Sequence, residues 1–183
     1  MKGFERSNQL FSLCGLNCGL CSMHLGGHCP GCGGGSGNQS CKIARCSLEH
    51  GKIEYCCECG EYPCSHYELI DSFDSFITHR HQKEDLRKAM RIGIENYNAE
   101  QKEKAEILRI LLSDYNDGRR KSFYCAAVNL LELTDIKNIM KQITENGTLA
   151  GLTVKEKCSY AAGLFERTAR EKNIELKLRK KVK

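Results

Sequence analysis

The chain has 183 residues, 40% of them hydrophobic and 28% charged, with a formal net charge of +5. That length suits one domain of ordinary size or two small ones, and excludes two large domains. No apolar run approaches the ~20 residues of a membrane span, and the start, MKGFERSNQLFSL, lacks the apolar core of a secretory signal, so a cytoplasmic protein without a membrane partner is expected.

Cysteine is the unusual component, with 13 residues. Eleven of these lie between Cys14 and Cys64, leaving only Cys125 and Cys158 outside. In a reducing compartment such density points to metal or thiol chemistry rather than to disulfides. The first 66 residues also hold 12 of the 17 glycines and both prolines, Pro30 and Pro63. This composition predicts a loop-rich module, residues 1–66, that lacks apolar side chains for a core and is cross-linked by thiolate–metal bonds. GCGGGSGN at 31–38 reads as a flexible loop between cysteine groups.

Within the module, CPGCG at 29–33 has the form of a zinc knuckle. Its C-x2-C spacing lets two thiolates reach one ion at ~2.3 Å, and the following glycine permits the turn that aims backbone N–H groups at sulfur. Cys56, Cys59 and Gly60 repeat that form, so Cys29, Cys32, Cys56 and Cys59 are expected to make one four-thiolate site of the zinc-ribbon type. A different grouping would pair Cys18 and Cys21 with Cys29 and Cys32, and set Cys41 and Cys46 against Cys56 and Cys59. Beside the four-thiolate site, Cys14, Cys18, Cys21, Cys41, Cys46 and Cys64 supply four thiols for one more ion, or all six for two if a thiolate bridges or His24, His28 or His66 contributes, whereas Cys57 points away from its neighbours' ion. Cys14, Cys18 and Cys21 also form the C-x3-C-x2-C spacing that holds an iron–sulfur cluster in radical S-adenosylmethionine enzymes. Those enzymes alternate strands with helices, a pattern not seen after residue 66. A knuckle-held single iron is the other redox alternative.

From Tyr67 the periodicity is helical, and residues 67–183 are expected to form a bundle of about six helices with a basic tail. The first helix is carried by Tyr67, Leu69, Ile70, Phe73, Phe76 and Ile77, the second by Leu86, Ala89, Met90, Gly93, Ile94 and Tyr97, and the third by Ile107 to Tyr115. FYCAAVNLL at 123–131 is apolar nearly all round and marks the central helix, with Cys125 as a small buried hydrophobe. Ile136, Ile139, Met140 and Ile143 give a fifth helix ending at Asn146-Gly147; Thr153 and Glu156 form a capping box that opens a sixth, with Cys158 in its core face.

The net positive charge resides in the last fourteen residues, Arg170 to Lys183, which carry seven basic and two acidic groups. A solvated extension with one short strand at Ile174, Leu176 and Leu178 is the preferred reading, with nucleic acid as the partner to consider. Arg119, Arg120 and Lys121 stand where the central helix begins, an N-terminus that repels cations, so they form a candidate site for a small anionic ligand or for an acidic side chain such as Glu58 or Glu61.

LCGLNCGLC at 13–21, CPGC at 29–32, CKIARCSLEHG at 41–51 and CCECGEYPC at 56–64, followed more loosely by YNDGRRKSFYCAAVNLL at 115–131, resemble a cysteine-rich prokaryotic domain of unknown function, numbered 3795. The resemblance covers roughly residues 12–131 and implies a zinc-binding domain without an established activity. Its motif cysteines fall on Cys14, Cys18, Cys21, Cys29, Cys32, Cys41, Cys46, Cys56, Cys59 and Cys64. The expected function is therefore that of a zinc protein with two or more mainly structural ions, serving as a recognition or regulatory module for an unknown protein. The alternative is a redox or thiolate metal-handling protein.

Overall fold

The computed structural model of the chain describes residues 1–35 and 40–181, so the glycine loop expected over 31–38 is described as far as Gly35. The fold is mainly helical. Among the described residues seven α-helices follow in order: α1 Ser22–Leu25, α2 Lys42–Glu49, α3 Gln82–Ile92, α4 Ile94–Asp114, α5 Lys121–Leu130, α6 Leu133–Glu145 and α7 Val154–Glu171. Short 3-10 turns stand at Cys18–Leu20, Cys56–Glu58, Ser65–Tyr67 and Gly147–Gly151. Among the described residues there is no strand, including over Ile174, Leu176 and Leu178, where one is expected from alternation.

The chain divides into two compact units, the first comprising Met1–Gln101 with the tail from Leu178, the second Lys102–Lys177. The division therefore falls at residue 101 rather than at the change of composition after residue 66. The reason lies in packing. Phe4, Phe11, Leu13, Ala44, Tyr55 and Cys56 of the cysteine-rich segment share one buried cluster with Tyr67, Leu86, Ala89 and Tyr97. Phe11 is its centre, with its ring centroid 5.3 Å from that of Tyr55 and 4.6 Å from that of Tyr97. Each such side chain contributes about 1.5–3 kcal/mol on burial. The segment expected to lack apolar side chains for a core thus supplies several buried ones, and α3 and the start of α4 complete the cluster.

The helix expected over Tyr67–Ile77 does not form. Leu69 is 78% and Phe76 63% exposed, and Leu69 adopts φ +54°. The segment is instead organised by Asp74, whose buried carboxylate accepts hydrogen bonds from the backbone N–H of His79 (2.8 Å) and of Arg179 (2.7 Å). The second expected helix is split at Gly93, whose φ of +87° is open to glycine at no steric cost, and everything from Ile94 to Asp114 joins into one helix.

In the second unit, α5 is buried along Tyr124–Leu130 and α7 packs on both α5 and α6. Ile136, Ile139 and Ile143 of α6 and Cys158, Ala161, Ala162 and Phe165 of α7 bury the faces their spacing predicts. Cys125 and Cys158 are both core residues. The capping box at the start of α7 is present: Thr153 N–H donates to Glu156 Oε2 (2.9 Å) and Glu156 N–H to Thr153 Oγ1 (3.4 Å). At the other end of α5, buried Lys104 donates from Nζ to the Leu131 carbonyl (2.8 Å), placing a cation at a helix C-terminus.

Candidate metal centres in the cysteine unit

All ten motif cysteines lie in the first unit, where four of them line one cavity and six stand outside its lining. The N-terminal segment decides which thiols meet. Cys32 N–H donates to the Gln9 carbonyl (3.0 Å) and Cys56 N–H to the Leu13 carbonyl (2.9 Å), so the two knuckles attach at successive points of residues 9–13. Cys29 and Cys32 act electrostatically on Cys18, whereas the thiols that act on Cys56 are Cys14, Cys64 and Cys46.

The six outside that lining, taken as the first group, are Cys14, Cys18, Cys21, Cys29, Cys32 and Cys41, of which Cys14 acts electrostatically on Cys56 as well. The 3-10 turn at Cys18–Leu20 folds Cys21 back so that its N–H donates to the Cys18 carbonyl (3.0 Å), and Ser12 Oγ lies 3.3 Å from Cys14 Sγ. Cys41 caps α2, its sulfur accepting from Ala44 N–H (3.5 Å). Burial pushes the Cys14 thiol up to about 11, opposed by the Ser12 hydroxyl and reinforced by Cys32 and Cys41. Cys18 is raised further, by burial and then by Cys32, Cys14, Cys21 and Cys29.

The second group contains Cys46, Cys56, Cys59 and Cys64, which line one cavity of about 20 Å³ together with Ile43, Ile53 and His66. Tyr62 and Tyr67 also line it, their rings in edge contact with centroids 4.9 Å apart, and Tyr67 donates its hydroxyl to the Cys14 carbonyl (3.1 Å). Burial, followed by the nearby Cys14, Cys64 and Cys46, raises Cys56 to about 12 against the lowering effect of Tyr67. Cys46 is also raised, by burial and by Cys64 and Cys59. Cys57 is not among the residues lining this cavity.

Of the histidines named as auxiliary ligands, His66 lines the thiol cavity, His24 Nδ1 lies 3.0 Å from the Cys29 carbonyl, and His28 is exposed. His50 sits at the end of α2 with Nδ1 2.9 Å from the Cys46 carbonyl and 3.5 Å from its sulfur, and Nε2 3.5 Å from Glu61. As the side chains stand, no three Cys, His, Asp or Glu groups among the described residues form an arrangement that could hold an ion.

Sequence reasoning did not find Arg6, a buried cation in this unit, because an isolated arginine before a cysteine run has no pattern to mark it. At the start of α5, Arg120 meets Glu166 of α7 (3.2 Å) and stacks 5.3 Å over the Phe123 ring. Its acidic partner is thus Glu166, in place of the expected Glu58 or Glu61. Asn116 and Asp117 accept the N–H groups of Arg120 (3.1 Å) and Arg119 (3.0 Å), satisfying donors that an anion would otherwise have served. Arg119 is exposed and Lys121 half-buried.

No family model, no curated protein and no solved structure matches the chain. Among the described residues no helix is long and apolar enough to cross a membrane.

Proposed function

We propose that the first unit is a zinc module in which both thiol groups bind metal as thiolates, and that the ions serve structure and recognition rather than a reaction. The observation that carries this reading is the cavity between Cys46, Cys56, Cys59 and Cys64. Cys46, Cys56, Cys59 and Cys64, with His66, are among the residues lining a space of about 20 Å³, room for one water-sized body. The donor set is soft and closed, as in structural zinc sites, with no carboxylate among the lining residues. Bound zinc would supply cross-links and convert thiols that burial now keeps protonated into thiolates.

The first group has six thiols, enough for two ions if some bridge, which gives two to three ions in all. The motif residues support membership of the cysteine-rich domain named above, and thiol ligands suit a reducing cytoplasm. Elemental analysis of protein purified without oxygen tests the reading. Two to three equivalents of zinc in a colourless preparation are expected; a brown preparation with iron and acid-labile sulfide overturns it in favour of the redox alternative.

A further inference from the structure

Ser75 and His79 stand in the first unit, in the segment between the 3-10 turn at Ser65–Tyr67 and α3. Ser75 is exposed and His79 half-buried, and Ser75 Oγ lies 3.0 Å from His79 Nε2. The other ring nitrogen, Nδ1, lies 3.1 Å from the Ile70 carbonyl oxygen. A carbonyl only accepts, so in the neutral ring the proton of that bond sits on Nδ1. Nε2 then keeps its lone pair and accepts from the Ser75 hydroxyl. A hydroxyl, a ring nitrogen that can take its proton, and a third group that orients the ring are the three parts by which a serine becomes a nucleophile.

One buried carboxylate holds both members of the pair. Asp74 precedes Ser75 in the chain and is itself tied down, its N–H donating to the Arg179 carbonyl (2.8 Å). Its side chain, 0% exposed, accepts from the N–H of His79 (2.8 Å) and from Thr78 Oγ1 (3.3 Å). The residue before the hydroxyl and the amide of the histidine are thus fixed by the same group. Ser72, three residues earlier and also exposed, makes the contrast: its Oγ donates to the Leu69 carbonyl (2.7 Å), an acceptor that cannot remove its proton. Phe73 and Phe76, on either side of Ser75 in the chain, are 39% and 63% exposed and offer apolar ring surface to an acyl group. Ser75 N–H is committed to the Ile77 carbonyl (3.1 Å), so the amide of the nucleophile does not serve a developing oxyanion, and a good leaving group has to carry the reaction.

We propose that Ser75 is a nucleophile and His79 its general base, in an acyl-transfer site for aryl esters and thioesters of apolar carboxylic acids. Ser75 Oγ forms a bond to the acyl carbon as its proton passes to His79 Nε2. The bond from that carbon to the leaving oxygen or sulfur breaks, and the leaving group takes the proton from Nε2. Water then attacks the acyl-serine, giving its proton to Nε2; the acid departs and Ser75 recovers its proton. The activity uses no thiol and no metal, and is independent of the zinc reading.

The full chain is treated with a fluorophosphonate, which phosphonylates an activated serine hydroxyl with loss of fluoride, and the labelled residues are located by peptide mass. Label is expected on Ser75 and not on Ser72. His79→Gln, which can still accept a hydrogen bond but cannot take a proton, is expected to slow the labelling about 10²–10⁴-fold. Release of p-nitrophenol from p-nitrophenyl butyrate by the wild type is expected to exceed that by Ser75→Ala, a comparison in which the thiols and the other histidines cancel. Equal labelling of Ser72 and Ser75, or labelling of neither, overturns the proposal and needs no variant to fold. An unchanged labelling rate in His79→Gln also overturns it, since it would make the histidine a mere stitch of the loop. Equal release of p-nitrophenol by the wild type and Ser75→Ala does the same.

Discussion

Asp74 and Arg179, 105 residues apart, hold each other by the main chain in both directions: Asp74 N–H donates to the Arg179 carbonyl (2.8 Å), and Arg179 N–H donates to Asp74 Oδ2 (2.7 Å). The Arg179 guanidinium adds a bond to the Asp71 carbonyl and lies 3.7 Å from Asp74 Oδ1. Arg179 is thus anchored in the first unit, while Glu175, Lys177, Lys180 and Lys181 around it are exposed. Burial acts to raise the Asp74 carboxyl, but the N–H groups of Arg179 and His79 and the charges of Arg179 and Arg80 outweigh it and hold the group below its ordinary range.

A depressed folded-state value means that the stabilisation is complete above the ordinary carboxylate value of about 4 and is lost as pH falls through the folded value. Asp74→Asn is therefore expected to be less stable than wild type at pH 7, with the gap closing below about pH 4. Asp74→Ala, which leaves buried N–H groups without an acceptor, should cost about 2–3 kcal/mol at neutral pH. Urea unfolding across pH checks both; a gap that does not change with pH would mean that the carboxylate's charge contributes nothing.

Gly15 has φ +95°, and a Cβ there would stand 2.3 Å from the Gln82 carbonyl oxygen and 2.8 Å from Leu86 Cγ. Gly15→Ala combines left-handed strain with overpacking at α3, together about 2–4 kcal/mol. Gly60→Ala, where nothing lies within 4 Å, is the control and should be nearly neutral. Thermal unfolding of the pair gives the comparison, and similar melting temperatures would contradict the close approach.

Cys56 and Cys125 are both buried, yet they are expected to behave oppositely on substitution. Cys56→Ser should lower the zinc content of the purified protein, whereas Cys125→Ala should leave it unchanged and cost about 1 kcal/mol as a lost sulfur in a packed helix. Metal analysis beside a denaturation curve separates the two. Loss of zinc in Cys125→Ala would add a ligand that the fold keeps in the other unit.

The ion pair of Arg120 and Glu166 has side chains 41% and 45% exposed. Pairs of this kind are worth about 0.2–1 kcal/mol and weaken in salt. A double-mutant cycle with Arg120→Gln and Glu166→Gln should return a coupling within that range at low salt and less at 0.5 M. If Arg120→Gln also abolished a measurable affinity for inorganic phosphate, the anion site expected at residues 119–121 would be restored.

How far the sequence carried the structure depended on whether an element was organised locally. α7 was readable because Thr153 and Glu156 cap it within four residues, and α5 because Tyr124–Leu130 are apolar all round. Over 67–81 the spacing of Tyr67, Ile70 and Ile77 mimics a helix face, but the fold of that segment is set by Asp74 and its distant partner Arg179, which periodicity cannot register. The choice between the two thiol groupings was not legible either. The two C-x2-C-G motifs are tied down by backbone hydrogen bonds to the Gln9 and Leu13 carbonyls, which any residue could supply. Zinc as an expectation came from residue type and spacing, which are local.

The discontinuous make-up of the first unit bears on the order in which the protein is born. Translation delivers Lys102–Lys177, a contiguous unit with its own buried helix, before the residues from Leu178 that complete the unit begun at Met1. Domains tend to close N-terminal first during synthesis. Here the unit that begins first is not complete until the whole of the second has been made, because Asp74 must wait for Arg179. During that interval the Asp74 carboxylate and its segment stand without the main-chain partner that holds them in the finished fold.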